Sequence, residues 1–290
     1  MAAYQIFTDA TADLSPEMLT GLPHLEIIPM EIEIAGGTYI YGPSGTISID
    51  HFYELQRTGN FAFTSQINPA VYFQTFSACL QDGKDILYLC FTSGMSGTFQ
   101  TARLCIDELE KEYPERKIIC VDTLAASIGE GFLVCEALRK QTEGCSLEEL
   151  ADWVMKNRLK VCHWFTVDTF DHLKHGGRVS AAAAALGTVL QIKPLLRVDE
   201  EGCLKVVEKP RGRKNAIAAQ LSRIHSGWIP DMGNKIVIAH GDCSEGAEQL
   251  RQAVSAQFPE AEIVTSQIGP IIGAHTGPGM LAVSYWGNTR

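Results

Sequence analysis

The nine cysteines of this 290-residue chain include no pair at C-x-x-C spacing. No His/Cys cluster has zinc spacing either, which argues against a structural zinc site. Scattered thiols, mostly flanked by apolar residues, predict reduced side chains packed in a core and a reducing cytosol. No run reaches the ~20 apolar residues of a membrane helix. The first residues lack the positive region and long apolar stretch of a signal peptide. Together these absences predict a cytoplasmic protein. Positive charge is in the minority: 24 Lys and Arg against 34 Asp and Glu give a net charge of -10. That balance argues against a general nucleic-acid binder, although it leaves room for a local basic patch. The chain has no G-x-x-x-x-G-K-[ST] run, no kinase signature set and no G-x-G-x-x-G after its first strand. Asp9 and Asp13 alone are too few for metal chemistry, so neither a metal nor a cofactor is expected. There is no internal repeat and no low-complexity tract.

What is present is a soluble globular composition, 46% hydrophobic and 20% charged, long enough for one large domain or two ordinary ones. A unit of strand, small-residue turn and helix recurs along its first half. The apolar run at 85–91 reads as a buried strand. It leads through Phe91-Thr-Ser-Gly-Met-Ser-Gly-Thr-Phe-Gln-Thr-Ala102 into a helix predicted over 96–111. At such a helix start the first N–H groups have no partner within the helix, and the positive dipole end favours an anion. Gly94 and Gly97 let a ligand approach the backbone, while Ser93, Ser96 and Thr98 offer hydroxyls. A Ser N-cap in a tight turn accounts for the same residues.

The first strand, 4–8, ends in Thr8-Asp-Ala-Thr-Ala-Asp13, with Asp13 or Ser15 placed to cap a helix from Pro16. An extended run follows over 25–34, then a Gly-rich irregular stretch over 39–49 and a helix opened by Ser48. Thr64 and Ser65 stand where they either cap a helix over 69–80 or face a ligand. A strand at 117–122 and a helix at 132–141 repeat the unit. Ser146-Leu-Glu-Glu149 is a capping box for a helix running to about 159. Strands alternating with helices imply crossover units and a mainly parallel sheet.

The order changes near residue 160. A strand at 161–167 and a short helix at 171–175 stop at Gly176-Gly-Arg178. An Ala-rich helix at 181–190, a hairpin of 195–199 with 204–207, and a helix at 214–226 come next. Lys209-Pro-Arg-Gly-Arg-Lys214 is the only basic run. A strand at 235–240, a helix at 244–258 and a strand at 262–268 lead to the Gly- and Pro-rich segment 269–279 and a last strand, 280–286. This change predicts an N-terminal α/β domain over 1–160 carrying Thr64 and Ser96. A C-terminal mixed α/β domain over 161–290 carries Gly176 to Arg178 and His275, and the two domains are free to interleave.

Two chemistries fit the polar residues. Ser96 lies in Gly94-Met-Ser-Gly-Thr98, which misses the G-x-S-x-G nucleophile elbow because Thr98 replaces the last glycine. A serine-dependent hydrolase or acyltransferase using Ser96 and His275 is the alternative, and it needs an acid within reach of the histidine. The second chemistry is anion recognition. Thr64, Ser96 and His275 all lie in small-residue turns, and two hydroxyls with one imidazole can hold a carboxylate head.

Taken in order, these motifs resemble the DegV family, the lipid-binding subunits of the bacterial fatty-acid kinase system. The resemblance runs through Thr8-Asp-Ala-Thr-Ala-Asp-Leu14, Thr64-Ser-Gln66, Ser93-Gly-Met-Ser-Gly-Thr98 and Val121-Asp-Thr123. It continues through Leu173-Lys-His-Gly-Gly-Arg-Val-Ser180 and Gly273-Ala-His-Thr-Gly-Pro-Gly279. It implies a two-domain α/β fold that buries a long-chain fatty acid, such as palmitate, stearate or oleate, between its domains. Thr64 and Ser96 are then the residues expected to bind the carboxylate, with His275 nearby and Ser65, Ser93 and Gly97 as further ligand contacts. A partner kinase would phosphorylate the carboxylate to an acyl phosphate, so this chain presents substrate and has no catalysis of its own. Arg178, Arg211 and Arg213 are expected to face that kinase. The Gly-rich Tyr41-Gly-Pro-Ser-Gly-Thr46 departs from the more polar segment the resemblance leads one to expect. Physically, burying a sixteen-carbon tail at about 0.8 kcal/mol per methylene yields roughly 10 kcal/mol before entropic costs.

Overall fold

The computed structural model of the chain describes residues 4–179, 191–288 and 290. The Ala-rich helix expected over 181–190 lies outside the described residues. Three sheets organise the α/β fold. The first is wholly parallel in the order β2-β1-β6-β7, from β1 (Tyr4–Asp9), β2 (Glu26–Ile28), β6 (Asp85–Cys90) and β7 (Ile118–Asp122). The second is mixed, in the order β10-β9-β8-β13-β11-β12. It is built from β8 (Val161–Thr166), β9 (Leu195–Val198), β10 (Leu204–Glu208), β11 (Lys235–His240), β12 (Glu262–Gln267) and β13 (Leu281–Trp286). A small antiparallel sheet, β4-β3-β5, comprises β3 (Met30–Ile34), β4 (Gly37–Tyr41) and β5 (Ala62–Thr64).

The extended run at 25–34 is two strands. Pro29 has no N–H for a ladder, and the chain changes sheet there. β2 pairs with β1, while β3 alternates buried and exposed residues in the small sheet. The stretch expected to be irregular contains a strand, β4, joined to β3 through Ala35 and Gly36. Both have positive φ, 52° and 77°, the geometry of a two-residue hairpin turn.

Helices α1 (Pro16–Leu19), α2 (Ile49–Arg57) and α3 (Pro69–Gln81) are capped by Ser15, Ser48 and Asn68. Thr64 and Ser65 are therefore free of the capping role. α4 (Thr98–Glu112) starts two residues later than its serine turn suggested, with Gly97 as N-cap. α5 (Ser127–Thr142) starts five residues earlier than its apolar run. Gly129 and Gly131, poor helix formers, disguise its first turn. Each is required by a close approach: an added Cβ would lie 1.9 Å from His163 and 2.3 Å from the Ala12 carbonyl. α6 (Leu147–Asn157) carries the full capping box between Ser146 and Glu149. α7 (Asp171–His175), α8 (Arg213–Gly227) and α9 (Ser244–Gln257) follow. The segment 269–279 is not merely a turn: it contains α10 (Pro270–Thr276), with proline in its first turn and Gly277 ending it at φ 71°.

α5 is buried almost all round, from Ser127 to Leu138, because it lies between the two large sheets. Its Phe132 meets Trp286 edge-to-face at 5.3 Å. The same core cluster takes in Ile6, Leu87 and Leu89 from the first sheet and Phe165, Val237 and Ala239 from the second. The strands of the first sheet all precede residue 123 and those of the second all follow 160. α10, from the later part of the chain, packs on β5 and α2 of the earlier part.

Candidate functional site

The carboxyl ends of β1 and β6, the start of α5 and the inner side of α10 line a cavity whose empty space, including the part open to solvent, is about 880 Å³. Most of its wall is apolar, including Met30, Phe91, Met95, Leu173, Phe165 and Met280. Among its described lining residues there is no Asp or Glu, and Arg178 is the only one with a full positive charge.

Its polar lining residues come from distant parts of the chain. Thr64, the last residue of β5, has its Oγ1 2.8 Å from His275 Nε2, across 211 residues of sequence. Nδ1 of that ring is buried with no hydrogen-bond partner among the described residues, pressed on Gly176, where an added Cβ would come within 2.0 Å. A ring proton on Nδ1 would be a buried donor without an acceptor. The network therefore assigns it to Nε2, which donates to Thr64 and leaves only a lone pair at Nδ1. Thr64's own hydroxyl proton is then free to point into the cavity. Burial first, then the positive charge of Arg178 and the neighbouring His175 and His172, push His275 down to about 4, so it is neutral at pH 7. Arg178 is half-buried, donates to the Gly176 carbonyl and is itself pushed down by desolvation.

Ser96 and Thr98 also line the cavity. Their hydroxyls lie 2.9 Å apart, and Ser96 Oγ accepts from the Thr98 N–H at 3.2 Å. The hydroxyl pair uses one of its two protons and leaves the other for a ligand at the positive end of α4. Ser65 and Gln66 line the wall as well.

Ser93 and Gly97, expected as ligand contacts, are not among the lining residues. Ser93 donates both its hydroxyl and its N–H to Asp122, so it holds the turn in shape. Gly97 leaves room for Gln66, whose Oε1 an added Cβ would approach to 2.5 Å. Of the arginines expected to face a partner, Arg178 lies in the cavity wall. Arg213 is committed to Asp168 at 2.5 Å and the Gly279 carbonyl at 2.7 Å. Arg211 is exposed.

The nucleophile-and-base arrangement needs two contacts that are absent among the described residues. Ser96 bonds Thr98 while His275 bonds Thr64, and the second nitrogen of His275 meets Gly176 where an orienting acid would stand.

Behind the wall lies an acid network that sequence spacing does not disclose. Asp9 accepts from the N–H and hydroxyl of Thr11, from Tyr88 at 2.9 Å and from the Phe91 N–H at 3.4 Å. Glu130, on α5, lies 2.8 Å from the same Thr11 hydroxyl, which has one proton for two carboxyl groups. Thr11 donates to Asp9, so Glu130 is the protonated partner. Burial and then the Asp9 charge hold Glu130 well above the usual carboxylate range. Asp13, in the left-handed region at φ 47°, accepts from Ser127 at 2.6 Å and from the Gly269 N–H at 2.8 Å. Burial raises it to about 8. The motif after β1 thus braces the cavity: Thr11 and Ser127 reach its wall, and the acids stand behind them.

A family model described as the uncharacterised DegV family matches residues 3–288. A DegV domain-containing protein of Clostridium perfringens is 38% identical over 290 residues, covering 100% of this chain and 99% of the relative. The structure of a fatty-acid-binding DegV family protein from Thermus thermophilus superposes with a TM-score of 0.84 at 29% identity, covering 98% of this chain and 99% of that one. The Streptococcus pneumoniae fatty acid kinase B3 protein, loaded with linoleic acid, shares the fold at a TM-score of 0.87 and 22% identity, covering 99% and 100%.

Proposed function

The chain belongs to the DegV family, and from that premise we propose that it binds a long-chain fatty acid in this cavity and presents the carboxylate to a partner kinase. The observation that carries the reading is the polarity of the cavity. A mostly apolar wall carries Thr64, Ser96, His275 and Arg178, with one positive charge and no carboxylate among the described lining residues. That is the complement of an acyl tail with an anionic head. Fatty acid binding by the Thermus thermophilus relative supports the same ligand.

In this reading Thr64 donates its free proton to the carboxylate, the Ser96–Thr98 pair donates a second, and Arg178 balances the charge. Arg178 thus serves the head group, which leaves exposed Arg211 as the basic residue for the kinase face. Residues 1–160 and 161–290 act as the two domains, with the acyl chain between them. The chain has no turnover of its own and works in the cytoplasm; among the described residues no helix is long and apolar enough to cross a membrane.

The test is a titration of delipidated protein with saturated and unsaturated acids of sixteen and eighteen carbons. Binding raises the unfolding temperature with concentration, by about 2.7 kcal/mol of added stability at a hundredfold excess over Kd. ATP and a fatty-acid kinase catalytic subunit then convert the bound acid to acyl phosphate. No thermal shift with any of these acids refutes the binding reading, and binding without acyl-phosphate formation refutes the kinase half alone.

A further inference from the structure

The hairpin of β9 and β10 reaches from the second sheet to the serine turn after β6. Its stems line the cavity through Val198 and Leu204, while its tip, 199–203, rests on Thr92 and Gly94. Thr92 is fully buried and is not a lining residue. Its hydroxyl accepts from the Gly94 N–H at 3.1 Å and donates to the Gly202 carbonyl at 3.1 Å. Cys203 Sγ adds a contact to the Gly94 carbonyl at 3.4 Å. The fit leaves no space for a side chain: a Cβ on Gly94 would lie 2.6 Å from the Glu201 carbonyl, and one on Gly202 would lie 2.0 Å from Thr92 Oγ1. The tip is itself rigid. The Asp199 carboxylate accepts from the N–H groups of Glu201 and Cys203 at 3.2 and 2.8 Å, and the Asp199 carbonyl accepts from Arg290 at 3.3 Å.

We propose that Thr92 is a positioning residue for carboxylate recognition. Through Gly94 it sets where Met95 and Ser96 stand, and through Gly202 it ties that position to a hairpin whose stems touch the acyl tail. The inference rests on the fatty-acid reading above. A hydroxyl suits the position because it donates and accepts at once. Valine has the same shape and leaves the Gly94 N–H and the Gly202 carbonyl unpaired, whereas serine keeps both bonds. A loosened turn moves Ser96 off the head group, and of the apolar wall it reaches only Met95 and the hairpin stems, Val198 and Leu204.

The experiment compares the affinity of delipidated wild type, Thr92→Val and Thr92→Ser for palmitate and for methyl palmitate. Thr92→Val lowers the acid-to-ester affinity ratio roughly fivefold or more, with ester affinity held within about twofold, and Thr92→Ser restores it. An unchanged ratio, or an equal loss for both ligands, overturns the positioning role. Hydrogen exchange on the wild type decides the matter should Thr92→Val not fold. Palmitate slows exchange at Gly94 together with Gly202 and Cys203, and slowing at the serine turn alone overturns the inference. If the wild type binds neither lipid, the fatty-acid reading falls and this one with it. If the wild type binds palmitate and the ratio does not respond to Thr92→Val, only the positioning role falls.

Discussion

Thr64→Val isolates the contribution of one hydroxyl. Valine matches threonine in shape, so the packing at the end of β5 is kept, while the acceptor for His275 Nε2–H and the donor to the ligand are both removed. The 2.8 Å contact to His275 leaves the Thr64 proton as a donor to an anionic oxygen. A hydrogen bond to a charged group is worth about 1.5–3 kcal/mol, which corresponds to a rise in Kd of roughly 10- to 150-fold. The His275 N–H, now without its Thr64 acceptor, can turn toward the ligand and offset part of the loss, which sets the expected rise toward the lower part of that range. Displacement of a fluorescent fatty acid measures the change, with the methyl ester of the same chain as control. The ester has no anionic oxygen and its affinity stays nearly constant. An unchanged Kd for the acid, or an equal loss for the ester, would show that Thr64 does not meet the carboxylate.

Other expectations concern the frame of the site. Asp13 is held at about 8 in the folded protein against an ordinary 3.8. Between those values the folded state keeps a proton that the unfolded state has lost, so stability falls as pH rises, at about 1.4 kcal/mol per unit. His275, depressed from 6.5 to about 4, acts in the opposite sense: its contribution is lost as pH falls below 6.5. Urea unfolding of wild type and Asp13→Asn across pH 6.5 to 8 should therefore differ in slope by about one proton, and parallel curves would count against a buried protonated Asp13. Gly176→Ala places a Cβ 2.0 Å from His275 Nδ1, so the ring must leave Thr64; fatty-acid affinity should fall about as far as in Thr64→Val, and retained affinity would dismiss the assigned ring position. Phe132→Ala, fully buried between the sheets, should cost about 3–5 kcal/mol in denaturant unfolding, and a loss below about 1 kcal/mol would mean that α5 is not the shared core.

The parts of the fold legible in the sequence are those fixed by local chemistry. Apolar runs ending in small residues mark β1, β6 and β7, and their alternation with helices implies the parallel sheet. The Ser146–Glu149 box and the turn at 200–202 work over a few residues and are visible for that reason. Glycine and proline hid what they enable. β4 was obscured by its Gly-rich flank, the first turn of α5 by Gly129 and Gly131, and α10 by the density of Gly and Pro around it, although each glycine there answers to a neighbour distant in sequence. Within the site, the sequence suggests turns for Thr64 and His275, which the structure places at the end of β5 and in α10, and it cannot set them against each other across 211 residues. Ser93 and Ser96 look alike in the chain, and only the position of Asp122 separates a turn-holding hydroxyl from a cavity-lining one. The pairing of Thr11 with both Asp9 and Glu130 spans two elements and leaves no mark in local spacing.

Native mass spectrometry of the protein as purified from its expression host reads the bound ligand itself. Fatty-acid binding at this site predicts one noncovalently bound fatty acid per chain, released on activation as a carboxylate of long acyl length and lost selectively in a variant lacking the Thr64 and Ser96 hydroxyls. A chain that carries no lipid, and takes up none when offered acids of sixteen and eighteen carbons, would contradict it.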